Sequence, residues 1–171
     1  MKEYVRVLVM STQSEPSVSP RPVVDEDLKQ ILSIEIQSYP EPWKLGHFEE
    51  ELKKAYTRAF VLTDDETDSI VIGYIVYWMQ AEGVSLLNIA VDPKWRGFGF
   101  GMKLMHVMIK EAVKEDISRI ILEVRESNKS AIELYSTIGF KVTHSRKNFY
   151  SNGETALVME IKTSEASGTI Q

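Results

Sequence analysis

The 171-residue chain contains no cysteine. Disulfides, thiolate metal sites and a thiol nucleophile are therefore excluded. Histidine is sparse too. His47, His106 and His144 stand apart with no ligand spacing, so no metal is expected. Basic residues are outnumbered, 20 Lys and Arg against 25 Asp and Glu, for a net charge of −5. This argues against a general nucleic-acid partner while leaving room for a local basic groove. No apolar run approaches the ~20 residues of a membrane span. The opening MKEYVRVLVMS carries charge and lacks a small-residue cleavage site, so it does not read as a signal peptide. A cytoplasmic protein with no membrane partner is expected.

What is present is globular material: 43% apolar and 26% charged, at a length suited to one domain. The Ser/Pro-rich STQSEPSVSP ends a flexible extension over residues 1–20, in which Tyr4–Met10 is either a short strand or disordered. A compact domain is expected over 21–162 and a polar tail over 163–171. Within the domain, RPVV reads as a strand. DEDLKQILSIEIQSY reads as a helix with Leu28, Ile31, Leu32 and Ile36 on its apolar stripe, broken by PEPW. A second helix spans about Leu45–Ala55. RAFVLTD, SIVIGYIVYWMQ and VSLLNIAVD are strands, the last two joined by a turn at Glu82-Gly83. A helix over about Gly99–Lys114, the strand ISRIILEVR, the helix NKSAIELYSTIG and the strands FKVTHSRKNFY and TALVMEI follow. The order βααβββαβαββ predicts an α/β domain around one sheet.

The chemistry-bearing stretch is VDPKWRGFGFGMKLMHVMIKEA, with Gly97, Gly99 and Gly101 directly before a helical pattern. The first N–H groups of a helix have no partner and face the positive end of its dipole, which suits an anion. Glycine lets a phosphate approach the backbone, and Lys94 and Arg96 add charge. A plain glycine-rich connector fits the same letters. The stretch is neither G-x-x-x-x-G-K-[ST] nor G-x-G-x-x-G.

Taken together, LLNIAVDPKWRGFGFGMKLM, ILEVRESNKSAIELYSTIGFKV and KNFYSNGETALVM resemble the GNAT superfamily of N-acetyltransferases over about residues 21–161. Arg96–Gly101 matches that family's [Q/R]-x-x-G-x-[G/A] loop. The nearest likeness is to protein N-terminal acetyltransferases of the RimI and archaeal Ard types. The resemblance implies a single-domain fold whose mixed, mostly antiparallel sheet splays at an acetyl-CoA cleft and is flanked by about four helices. It further implies that acetyl-CoA lies against the backbone of Ile89, Ala90 and Val91 and the loop Arg96, Gly97, Phe98, Gly99, Phe100, Gly101 and Met102, with Asn128 and Tyr135 beside its arm. The family uses the Val91 N–H as an oxyanion donor.

The resemblance implies Glu123 as general base and Tyr135 as the acid that protonates the departing thiolate. Read from the residues alone, Glu123 is an acid in an apolar strand, costly to bury unless partnered or open to a cleft, and strand alternation also fits a solvent-facing position. Burial would raise its pKa towards that of an amine. Tyr135 also fits a core position beside Ile132 and Ile138, and Asn128 also fits the cap of the following helix. Tyr39, Glu41 and Tyr150 match positions that contact the first peptide residues in Ard-type relatives. Glu41 pairs the substrate ammonium or a polar first side chain, or is a solvated loop acid, and Trp43 reads as core packing. Ser85 falls where some archaeal relatives carry a second, histidine base.

An α-amine has a pKa of ~7.7–8.0 and a lysine ~10.4, so one glutamate acting through water suits the first better. The expected function is transfer of acetyl from acetyl-CoA to protein or peptide N-termini, by direct attack in a ternary complex because no thiol can carry the group. Ribosomal proteins or nascent chains are the substrate candidates, and an auxiliary subunit or a second copy is an open partner. The alternatives are a related acetyltransferase for lysine or a small amine, and a non-catalytic CoA-binding subunit.

Overall fold

The most apolar stretch of the chain, Val71–Gln80, becomes β3, an interior strand of a seven-stranded sheet. The computed structural model describes residues 16–166. Around β3 lie β1 (Val18–Pro22), β2 (Thr57–Asp64), β4 (Gly83–Val91), β5 (Arg119–Arg125), β6 (Lys141–Arg146) and β7 (Ala156–Lys162). The helices are α1 (Leu28–Ser38), α2 (Leu45–Leu52), α3 (Phe100–Lys114), α4 (Lys129–Ile138) and the short α5 (Thr163–Ala166). The sheet order is β1-β2-β3-β4-β5-β7-β6, with β4 and β5 parallel and every other pair antiparallel.

β3 lacks alternation because both its faces are covered. Ile72, Ile75 and Tyr77 pack into a core with Leu104, Met105, Met108 and Ile109 of α3. Val71, Tyr74 and Val76 pack on the other face with Ile31 and Ile34 of α1 and Phe48 of α2. Truncating any one of these fully buried aliphatics to alanine is worth about 2–5 kcal/mol.

One feature of the sheet positions the site. β4 and β5 pair only through Val84–Leu86 and Ile120–Leu122. Beyond a bulge at Leu87, where Val76 faces Asn88 but Tyr77 faces Leu86, β4 runs on with β3 while β5 stays with β7. The strands part and leave a gap. Bulges commonly end pairing in this way.

Several boundaries differ from the sequence reading. β1 begins at Val18, inside the segment read as a flexible lead-in. The β3–β4 turn is Ala81-Glu82, and α2 stops at Leu52. The stretch read as a polar tail opens with α5, which buries Thr163 and Ala166, so the helices among the described residues are five where about four were expected. The proposed strand at Tyr4–Met10 lies outside the described residues. Among the described residues no helix is long and apolar enough to cross a membrane.

Candidate active site

The parted strands expose backbone. Asp92 donates its N–H to the Ile72 carbonyl at 2.9 Å, which makes that facing pair a hydrogen-bonded one. Antiparallel ladders alternate, so Gly73↔Val91 and Ile75↔Ile89 turn their amides outward, toward the gap. Two contacts agree with this. The Tyr39 hydroxyl donates to the Ile89 carbonyl, and Arg96 Nε donates to the Val91 carbonyl at 3.1 Å. Ala90, named with them as a backbone contact, turns its own N–H and carbonyl toward β3. It lines the gap, but the donors open to a ligand are those of Ile89 and Val91.

At the end of this edge sits the glycine loop. Gly97 and Gly99 have φ of 87° and 79°, a region that costs other residues about 1–2 kcal/mol. Gly99 caps α3 in that left-handed conformation. Gly101 serves a different purpose, since a Cβ there would meet Leu134 Cδ2 of α4 at 3.2 Å. Among the described residues, no acceptor takes the six consecutive N–H groups from Gly97 to Met102. The first amide of this region to find one is Lys103, which donates to the Gly99 carbonyl at 3.1 Å. Concave runs of unpaired amides at a helix N-terminus bind anions.

Loop and strand edge together line a groove of about 450 Å³, closed on the far side by Asn128, Ala131, Leu134 and Tyr135 of the α4 segment. Every residue expected at the cofactor lines it except Phe98. That side chain turns away, edge-on to Trp95 and stacked on Phe100 with ring centres 6.0 Å apart. Arg96 is exposed but folds back along the wall, its Nη2 donating to Ser38 Oγ at 2.9 Å. Asn128 caps α4, its Oδ1 accepting from the Ala131 N–H at 3.2 Å, while its Nδ2 has no described acceptor. Both readings of Asn128 are thus compatible.

A second cleft of about 500 Å³ meets the first at Tyr39, Ile89, Asn128 and Tyr135. Tyr135 is buried, and among the described residues its hydroxyl has no hydrogen-bond partner. Burial, with Tyr150 nearby, raises its phenol well above the ordinary value, so it stays protonated. Tyr39 is raised for the same first reason.

Glu123 lines the second cleft but is not buried. Strict alternation along β5 sends Ile120, Leu122 and Val124 into the core and turns Glu123 to the open face. Its Oε1 accepts from Arg146 Nη1 of β6 at 2.6 Å. The expected burial is therefore corrected: this carboxylate is an exposed, ion-paired group at the cleft wall.

The mouth of the second cleft is held by contacts between loops. Arg125 lies over the Tyr150 ring at 3.7 Å and pairs with Glu154 at 3.0 Å and Glu41 at 3.5 Å. Ser151 donates to Glu41 as well. Glu41 thus bridges the α1–α2 loop to the β6–β7 loop. Glu154 is held down to about 2, first by the Ser127 hydroxyl and then by the Ser127 N–H and Arg125. Trp43 packs edge-on against Phe48, as its core reading expects.

Two features escaped the sequence reading. Arg125 was visible only as part of a family motif. Glu35 had no signal except its place. It stands seven residues after Leu28, on the true buried stripe, whereas Ile36 is 65% exposed and Glu35 only 1%. Glu35 Oε1 accepts from the Trp43 N–H at 2.7 Å and from Asn88 Nδ2 at 3.1 Å, and Tyr74 donates to Oε2.

Comparison with known proteins agrees with this layout. Residues 28–140 match the model of the acetyltransferase (GNAT) family. A [ribosomal protein bS18]-alanine N-acetyltransferase from Haemophilus influenzae is 33% identical over 137 residues, spanning 78% of this chain and 90% of its own. The crystal structure of the ribosomal-protein-S18-alanine N-acetyltransferase from Escherichia coli superposes with a TM-score of 0.77 at 28% identity, over 86% of this chain and 94% of that one. Ard1 from Thermoplasma volcanium superposes with a TM-score of 0.75 at 25% identity, over 85% and 97%. With a splayed sheet, an amide-lined loop and relatives matched over most of their length, the chain belongs to the acetyltransferase (GNAT) family.

Proposed function

We propose that this protein acetylates the α-amine of protein N-termini from acetyl-CoA, with an alanine-starting ribosomal protein of the bS18 kind as its substrate, and that it works in the cytoplasm. The observation that carries the reading is the meeting of two clefts at Tyr39, Ile89, Asn128 and Tyr135, one lined by open amides and the other by carboxylates and tyrosines. The residues fit acetyl-CoA. Six amides from Gly97 to Met102 suit its diphosphate, and the open edge of Ile89 and Val91 suits the amides of its pantetheine arm as an added strand would.

When bound, acetyl-CoA supplies an activated acetyl group and a thiolate leaving group. Glu123 takes the proton of the entering ammonium, directly or through water, so that the amine nitrogen can form the new bond to the acetyl carbon. The Val91 N–H expected for the oxyanion lines only the cofactor groove; the outward Ile89 N–H, at the junction of the two clefts, stabilises the charge on the carbonyl oxygen. Tyr135, kept protonated by burial, donates its proton to sulfur as the carbon–sulfur bond breaks, and the second proton of the attacking nitrogen passes to water as the amide forms. The absence of cysteine supports transfer in a single ternary complex. Tyr39, Glu41 and Tyr150 form the peptide entrance.

The test offers acetyl-CoA with two peptides, one with a free α-amine and blocked lysines, the other the reverse. Mass spectrometry should locate acetyl at the α-amine only. Acetylation of lysine alone would overturn the reading.

A further inference from the structure

Glu35 is a buried carboxylate beside the peptide cleft that the proposed chemistry does not use. Among the described residues no cation pairs with it. Burying an uncompensated carboxylate costs several kcal/mol, so a helix needing only packing would carry leucine there. Three donors hold it instead, from three different elements. They are the Trp43 N–H of the α1–α2 loop, the Asn88 amide of β4 and the Tyr74 hydroxyl of β3.

The loop makes this arrangement specific. Between the end of α1 and Trp43 stand Tyr39, Pro40, Glu41 and Pro42. The two prolines have no N–H, so with Trp43 the segment has three amides. Two of them end on Glu35. Its backbone carbonyl takes the Tyr39 N–H at 3.1 Å and its carboxylate takes the Trp43 N–H at 2.7 Å. Glu35 thus grips both ends of the segment carrying Tyr39 and Glu41. Through Asn88 it ties that segment to β4 next to the bulge where the gap opens.

We propose that Glu35 is the positioning residue of the peptide-binding loop: its carboxylate fixes the Tyr39–Trp43 segment over the point where the strands part. It acts by geometry and not by charge on the substrate, because all its contacts are to protein donors. The proposal rests on the reading that this loop receives a peptide N-terminus.

Glutamine separates the two possibilities. Its Oε1 can accept from Trp43 and Asn88, and its Nε2 can donate to the Tyr74 hydroxyl, which turns its proton to Asn88 Oδ1 at 3.2 Å. Glu35→Gln therefore keeps every contact and removes only the charge. Glu35→Met keeps the volume and removes the acceptor. A lost hydrogen bond to a charged group is worth ~1.5–3 kcal/mol, so Glu35→Met should raise the peptide KM roughly tenfold or more. Its acetyl-CoA Kd should stay within about twofold and its saturated kcat within about threefold, while Glu35→Gln should recover most of the loss. A Glu35→Met enzyme with an unchanged peptide KM would overturn the proposal. So would a Glu35→Gln enzyme as damaged as Glu35→Met. Amide exchange in the wild type decides the matter even if the variant does not fold or no N-terminus is acetylated. The Trp43 amide should exchange on the order of 100-fold more slowly than that of Glu41, and equal rates would overturn the proposal. Failure of the wild type to acetylate any N-terminus, with Trp43 protected, would count against the functional reading alone.

Discussion

The two clefts that meet at Tyr135 are built in opposite ways. The groove proposed for the cofactor is made of backbone. Its donors come from Ile89, Val91 and Gly97–Met102, all within fourteen consecutive residues of the chain. The cleft proposed for the peptide is made of side chains from scattered segments: Glu35, Tyr39 and Glu41 around α1, Asn88 on β4, Glu123 and Arg125 on β5, and Tyr150 and Glu154 near β7. A site for an invariant cofactor can be cut from main chain, where the residue types matter mainly through the conformations they permit. A site for a particular peptide end needs charges and rings, and each must be anchored separately.

The largest expected effects test this division at the chemistry. Glu123→Gln should lower kcat roughly 10²-fold while leaving acetyl-CoA affinity unchanged. Steady-state kinetics with calorimetry checks both, and wild-type turnover would remove Glu123 from the scheme. Gly99→Val should do the reverse. At a φ of 79° a β-branched residue carries strain of about 1–3 kcal/mol. Acetyl-CoA binding should weaken roughly 10- to 100-fold, with kcat at saturation little changed.

A smaller effect comes from Tyr135. Burial raises its phenol above the ordinary value of about 10, so the rate should climb as the amine deprotonates near pH 8 and show no falling limb below about pH 10. A falling limb near pH 9 that Tyr135→Phe removes would contradict this. Smaller still is Arg125→Lys. It keeps a charge but loses the flat stack on Tyr150 and the fork toward Glu154 and Glu41. Peptide KM should rise about threefold to tenfold with acetyl-CoA Kd unaltered. The slightest effect is in acid. Glu154 is held near 2 against an ordinary 4.5, so its anchoring is complete above about pH 4.5 and lost as pH falls through 2. An NMR titration of its carboxyl carbon should show a midpoint near 2, and a midpoint near 4.5 would free Glu154 from the loop.

The same division governs what could be read in the sequence. The strands, the main helices and the glycine loop announce themselves through local patterns, and the splay followed from the family resemblance. Ile36 misled because it is apolar beside a stripe whose last member, Glu35, is an acid. Its place is justified only by Trp43, Tyr74 and Asn88, far away in the chain. Glu123 was found, but its setting was not. Ile120–Leu122 precede it and Val124 follows, yet alternation on β5 leaves it on the open face with Arg146. Long-range polar networks carry no periodicity, so no window along the chain contains them.

The central claim is that main-chain amides hold the cofactor. A titration of the 15N-labelled protein with acetyl-CoA tests it directly. The account predicts that the amides of Gly97–Met102, Ile89 and Val91 shift most, that of Ala90 much less, and those of the Glu41 and Tyr150 loops least. Saturable binding with the largest shifts outside the glycine loop, for instance along the α1–α2 groove, would contradict it.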